Sequence, residues 1–220
     1  MRSPIPFLEA SDDLTPFPPA DTAMADPNGL LMAGANLKPE RLMQAYRAGI
    51  FPWYSDGEPI LWWSPDPRCV IWPDKLKISR SLRKTIRRQV FTVSHNMAFE
   101  RVIQQCSKPR PGSDGTWITT DMATSYCELA RRGHAESIEV WCDDELIGGL
   151  YGVVVGKVFV GESMFSKQSD ASKVALVALA GDQRFSLIDC QLPTEHLISM
   201  GATNLSRHEY LAALKILGRQ

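Results

Sequence analysis

The segment Leu-Ile-Asp-Cys-Gln at 187–191 holds the residue types most suited to chemistry. It reads as a short strand, and alternate side chains of a strand share a face. Asp189 and Gln191 then point one way and Cys190 the other. A carboxylate and an amide side by side on an apolar strand are costly to bury without partners. Either they meet backbone groups and water at a strand end, or they serve a polar substrate. On the opposite face, Cys190 reads as a small core residue, not a nucleophile. Glu162 raises the same question. In a regular strand it shares a face with Val158, Val160 and Met164, where an acid either recognises a cation or accepts structural hydrogen bonds.

Other chemistries lack their signatures. No G-x-x-x-x-G-K-[ST] occurs, and no G-x-G-x-x-G links a strand to a helix. The five cysteines are an odd, scattered set without C-x-x-C, and H-E-x-x-H is absent, so no metal site is signalled and a reducing, cytoplasmic compartment fits. His95, His134, His196 and His208 have no mutual spacing that builds a site and read as surface or capping residues. Charge is more informative. The net charge of -1 conceals a block at 74–110 with 10 basic and 2 acidic residues, flanked by acidic segments. Such a block permits a nucleic-acid partner, and a solvated helix face is the alternative. Trp53 and Tyr54 sit in a Pro/Gly-bounded loop where a large ring is hard to bury, and such rings stack on bases. A basic helix with loop aromatics points to the exposed end of an RNA.

These groups must be positioned by recognisable elements. Twelve of 15 prolines precede residue 74, so the first third is loop-rich with short elements, held by Trp62, Trp63 and Trp72. One helix there starts at Pro39 and stops at Gly49. Ile78, Leu82, Ile86 and Val90 recur every four residues and predict a basic amphipathic helix over 78–90. Helices follow near 96 and after 119–121. Period-2 strands then span 137–142, 145–155 and 158–163, an antiparallel meander. A helix at 171–181, the 187–191 strand and helices near 194–200 and 207–217 complete the chain, the last opened by a Ser206–Glu209 capping box.

The chain has 220 residues, 44% hydrophobic and 22% charged, which suits an ordinary globular protein with a sizeable core. No stretch reaches the roughly 20 apolar residues of a membrane span. The expected fold class is α+β, with a small loop-rich N-terminal domain (1–73) and a mixed-sheet domain (74–220) whose element order is that of N-acetyltransferases (GNAT type). The Arg/Gln-x-x-Gly-x-Gly/Ala turn those enzymes use for acetyl-CoA is not found, so another acyl donor is expected. A coenzyme-dependent N-acetyltransferase and a non-catalytic RNA-binding protein are the rival classes.

The run from Asp26 through Trp72 closely resembles bacterial leucyl/phenylalanyl-tRNA–protein transferases. So do GTWIT (115–119), SIEVW (137–141), GGLYG (148–152), GESMFS (161–166) and LIDCQ (187–191). The resemblance implies transfer of Leu, Phe or Met from aminoacyl-tRNA to proteins with N-terminal Arg or Lys, feeding the N-degron route. It implies no metal and no dissociable cofactor. Residue by residue, it makes Asp189 the group that holds and deprotonates the incoming amine and Gln191 the group that positions it. Tyr46, Trp53, Trp117 and Tyr126 would surround the terminal adenosine. Leu150, Met164 and Leu179 would line the amino-acid pocket, with Glu162 orienting the aminoacyl end. Some members carry Met or Phe where Leu150 and Leu179 stand. Arg80, Arg83, Lys84 and Arg87 would hold the acceptor-stem phosphates.

Overall fold

Residues 5–12, 15–109 and 118–219 are described by the structure, a computed structural model. Proline content shapes its first third into short strands between turns: β1 (Phe7–Leu8), β2 (Leu30–Gly34), β3 (Phe51–Pro52) and β4 (Leu61–Trp63). They form a four-stranded sheet in the order β1-β2-β4-β3. Helix α1 (Pro39–Arg47) has Pro39 in its first turn, where a missing N–H costs nothing, and stops before Gly49 at φ 76°. Trp62 anchors this unit. Its ring is fully buried, meets Phe17 edge-on at 4.8 Å, and donates from Nε1 to the Gly34 carbonyl at 2.9 Å.

The remaining chain runs β5 (Arg68–Ile71), α2 (Arg80–Arg87), β6 (Thr92–His95), α3 (Phe99–Cys106) and α4 (Thr120–Arg131), followed by β7 (Ala135–Cys142), β8 (Glu145–Val155) and β9 (Val158–Ser166). It ends with α5 (Ala171–Gly181), β10 (Leu187–Gln191), α6 (Glu195–Ser199), β11 (Thr203–Leu205) and α7 (Arg207–Leu217). A seven-stranded mixed sheet results, in the order β11-β5-β10-β9-β8-β7-β6. Only β9 and β10 pair in parallel; every other neighbour is antiparallel. One face of the sheet, with Val70, Tyr151, Val153 and Val160, shares a core with α1, α3, α4 and α7, which contribute Tyr126 and Tyr210 among others. The other packs α5 against Leu150, Phe159 and Ile188. Ser206 and Glu209 form the expected capping box.

Two expectations need correction. The division at 73/74 falls one strand late, because β5 belongs to the large sheet, between β10 and β11. Proline content reports loops and says nothing about which sheet a strand joins. The basic helix is also shorter than 78–90. It is capped by the Ser79 hydroxyl and ends at Arg87, so Leu82 is buried while Ile86 and Val90 lie exposed.

The β8–β9 ladder depends on a close approach at Gly152. A Cβ there would sit 2.3 Å from the Val160 carbonyl oxygen and 2.5 Å from the Phe159 ring. Gly152→Ala is expected to destabilise the protein by about 1–3 kcal/mol through overpacking. Gly181→Ala, which meets nothing within 4 Å, is expected to be neutral or slightly stabilising. Urea unfolding of both variants checks the contrast.

Candidate active site

Two strand irregularities flank the place where β9 and β10 stop pairing. Their ladder runs from Leu187 opposite Val158 to Asp189 opposite Val160 and ends there. Just beyond, Tyr151 pairs Ser163 and Gly152 pairs Gly161, leaving Glu162 as the extra residue of a bulge. On the other side, Asp189 pairs Val70 and Gln191 pairs Cys69, leaving Cys190 as the extra residue. Bulges re-aim side chains. Here Met164 packs with the α5-side core and Val158 and Val160 with the opposite one, so the single face expected for Val158, Val160, Glu162 and Met164 does not exist.

The gap between the parted strands is a cavity of about 500 Å³, within the range of small-ligand sites. Leu150, Met164, Leu176, Leu179 and Ile188 make its apolar wall; Glu162, Asp189 and Gln191 make its polar one. Trp53 stands at the rim, 44% exposed, its ring 5.8 Å from that of Trp63. His196, read from sequence as a surface residue, also lines the cavity, and its buried Nε2 has no hydrogen-bond partner among the described residues. Burial, and then the charge of Lys173, hold its pKa below the ordinary histidine value.

The two carboxylates differ in kind. Asp189 is fully buried and committed to four donors. Oδ1 accepts from Arg68 Nε (2.8 Å) and the Gln191 backbone N–H (2.9 Å); Oδ2 accepts from Arg68 Nη2 and the Tyr210 hydroxyl (both 2.7 Å). The Arg68 guanidinium lies 4.6 Å from each of the Phe51 and Tyr210 rings. Burial opposes its charge, yet Asp189 holds its pKa above the ordinary arginine value. With its lone pairs filled, Asp189 has no site left for an amine, so the direct role expected for it does not fit this geometry.

Glu162 keeps capacity. Oε1 accepts from Gln191 Nε2 and Oε2 from the Tyr126 hydroxyl, both at 2.9 Å. Burial pushes its pKa up to about 7; hydrogen bonds from Tyr46 and Tyr126 pull the other way, the Asp189 charge adds to the rise and the Arg68 charge lowers it. The site therefore holds a buried carboxyl group whose pKa is raised to about 7 beside a second carboxylate held in an ion pair with Arg68.

Tyr46 and Tyr126, expected around an adenosine, are enclosed (1% and 0% exposed) and hydrogen-bond to each other behind Glu162. A ring without a free face cannot stack on a base, so their hydroxyls serve the carboxylate instead. Trp117 lies outside the described residues. Arg80, Arg83, Lys84 and Arg87 are exposed on α2, which packs against α5, the helix that supplies Leu176 and Leu179 to the cavity. Arg68 and Tyr210 were not singled out in the sequence. A lone arginine in the apolar strand Arg-Cys-Val-Ile was the available signal, since a buried guanidinium needs a carboxylate. Among the described residues no cluster of three His, Cys, Asp or Glu could hold a metal ion.

Comparison with known proteins agrees with the motifs. Residues 70–215 match the model of the leucyl/phenylalanyl-tRNA protein transferase family, and 35–66 match the model of that family's N-terminal domain. The leucyl/phenylalanyl-tRNA–protein transferase of Pseudomonas aeruginosa (strain LESB58) is 57% identical over 88% of this chain and 87% of its own length. That of Azoarcus sp. (strain BH72) is 54% identical over 96% of this chain and 90% of its own. A solved structure of L-PGS from Bacillus licheniformis is similar at 12% identity and a TM-score of 0.43, over 87% of this chain and 74% of that one. Matched along most of its length by both domain models and by these relatives, the chain belongs to the leucyl/phenylalanyl-tRNA protein transferase family.

Proposed function

We propose that this chain is an aminoacyltransferase that moves Leu, and also Phe or Met, from aminoacyl-tRNA to the α-amino group of proteins beginning with Arg or Lys, marking them for the N-degron route. Family membership supports the reaction. The observation that carries the site reading is the apolar cavity with Glu162 and Gln191 on its polar wall.

The donor ester is already activated, so transfer is chiefly a matter of orientation and proton removal. The apolar wall takes the amino-acid side chain. It gains only about 1–3 kcal/mol per methylene, which suits acceptance of several unbranched-at-Cβ residues. The acceptor arrives as an ammonium, with an ordinary pKa of about 7.7–8.0. Glu162, titrating at about 7, is matched to take its proton. Gln191 Nε2 is engaged by Glu162, which leaves Oε1 to accept a hydrogen bond from the amine. As the N–C bond forms and the ester C–O bond breaks, one of the two protons left on the amine passes to the leaving ribose oxygen and the other stays on the new amide nitrogen. Asp189 acts through Gln191, whose backbone it holds. Trp53, exposed at the rim, would stack on the terminal adenosine.

The exposed basic residues of α2 would hold acceptor-stem phosphates. Each charge removed (Arg80→Ala, Arg83→Ala, Lys84→Ala or Arg87→Ala) is expected to weaken tRNA binding across sequences and flatten the slope of log K against log[salt] by about 1. Filter binding over a salt series reads this, and an unchanged slope would remove α2 from the interface. Dependence on charged tRNA puts the activity in the cytoplasm; no helix among the described residues is long and apolar enough to cross a membrane.

The test of the reaction is transfer of labelled leucine from leucyl-tRNA to a protein with N-terminal Arg, against the same protein with N-terminal Gly. Label on the Arg protein alone is expected. No label on either, with tRNA still bound, would leave an RNA-binding protein.

A further inference from the structure

We propose that Arg68 is a positioning residue for transfer: its guanidinium neutralises Asp189 and so fixes both the geometry of Gln191 and the field in which Glu162 handles the acceptor's proton. The proposal rests on the reading of Glu162 as the proton acceptor.

Geometry argues for it first. Gln191 has φ 62°, a left-handed conformation that a side chain other than glycine rarely adopts unless the surroundings impose it. What imposes it is visible. The Gln191 N–H donates to Asp189 Oδ1, and Asp189 is gripped in two parallel bonds by Arg68, a fork that no lysine can reproduce. Arg68 is in turn wedged between Phe51, from β3, and Tyr210, from the last helix; both rings lie 4.6 Å from its guanidinium carbon. Arg68 Nη1 also reaches the Gly49 carbonyl at 3.4 Å. The orientation of Gln191, and through its amide that of Glu162, is thus set by a cation drawn from a distant part of the chain.

Charge gives the second argument. The titratable or charged groups that face Glu162 are Tyr46 on α1, Tyr126 on α4, Tyr151 on β8, Arg68 on β5 and Asp189 on β10. The three phenols have pKa values pushed up, by burial first and then by the Glu162 charge, and stay neutral at working pH. Arg68 and Asp189 are the two fixed charges, of opposite sign, and they offset one another at Glu162. Removing one exposes the other.

The sign of the effect follows. Arg68→Met leaves the Asp189 charge unopposed, so the acid limb of the transfer rate against pH moves to higher pH. Asp189→Asn leaves the Arg68 charge unopposed, so the limb moves to lower pH. Arg68→Lys keeps the charge but not the fork; its limb stays in place while kcat falls. The double variant Arg68→Met/Asp189→Leu removes both charges and returns the limb toward its original position. It also keeps the test open where Arg68→Met alone fails to fold, since replacing a whole buried pair is tolerated better than breaking it. KM for leucyl-tRNA is expected to stay within about twofold throughout.

The experiment is single-turnover leucine transfer from pH 5.5 to 9 for these variants and for Glu162→Gln, with folding verified by circular dichroism. The acceptor amine also titrates in this range, but its contribution is common to all variants, so displacement of the limb reports on the protein. Opposite displacements for the two single variants, or a restored limb in the double one, support the proposal. Folded Arg68→Met and Asp189→Asn variants whose limbs coincide with the wild type or move in the same direction overturn it, as does a double variant whose limb stays displaced as far as that of Asp189→Asn. If Glu162→Gln keeps both rate and limb, the reading of Glu162 is what fails, whatever Arg68 does.

Discussion

Glu162→Gln should lower leucine transfer by about 10²–10⁴-fold, the usual contribution of a positioned general base, while leucyl-tRNA binding persists. The substitution preserves the shape that accepts from Tyr126 and meets Gln191, but it removes the one group in the cavity whose pKa is brought to about 7 by burial. The working form of Glu162 is the deprotonated one. Wild-type transfer should therefore rise as pH climbs through about 7, and in the variant this component should vanish, leaving only the titration of the acceptor amine. Single-turnover rates from pH 5.5 to 9 decide the matter. Wild-type rates from the Gln variant would mean that the free amine attacks without help, and that the cavity contributes orientation alone.

Asp189→Ala should have the largest effect on stability, costing about 3–5 kcal/mol in urea unfolding as well as most of the transfer activity. The loss comes chiefly from what remains. Arg68 is 1% exposed, and without Asp189 its charge stays buried with no carboxylate in reach of its fork. The Tyr210 hydroxyl and the Gln191 backbone N–H lose their acceptor in the same stroke. A loss under about 1 kcal/mol would show that water or another anion replaces the carboxylate, and that the four hydrogen bonds to Asp189 are not what holds β5, β10 and α7 together.

Much of the architecture was legible because its causes are local. The 2.0-residue alternation of 137–163 and the apolar stripes of α3, α4 and α5 arise from side-chain directions within one element. Proline, glycine and the Ser206–Glu209 box mark ends through the backbone conformation of a few neighbouring residues. Asp189 and Gln191 do reach one polar wall together, but the Cys190 bulge and the left-handed backbone of Gln191 put them there instead of simple alternation, and Cys190 lines the same cavity. Sequence likewise brought Leu150, Glu162, Met164 and Leu179 forward as site residues, and one cavity gathers them with the strand pair.

What local pattern could not reveal was decided by pairing across long stretches of chain. Arg68 meets a carboxylate 121 positions later only because β5 inserts between β10 and β11, and no period within Arg-Cys-Val-Ile encodes that neighbour. The same separation hid the burial of Tyr46 and Tyr126, whose hydroxyls converge on Glu162 from two helices. The bulge at Glu162 is a relation between two strands and leaves no mark in the alternation of either. Sequence by itself thus determined the central meander, most of the helices and the family, because these depend on composition, motif and near neighbours. Only the tertiary structure told the two carboxylates apart, by enclosing Glu162 so that its pKa rises and pairing Asp189 with Arg68, because a buried acid's surroundings are the charges and donors that folding brings to it.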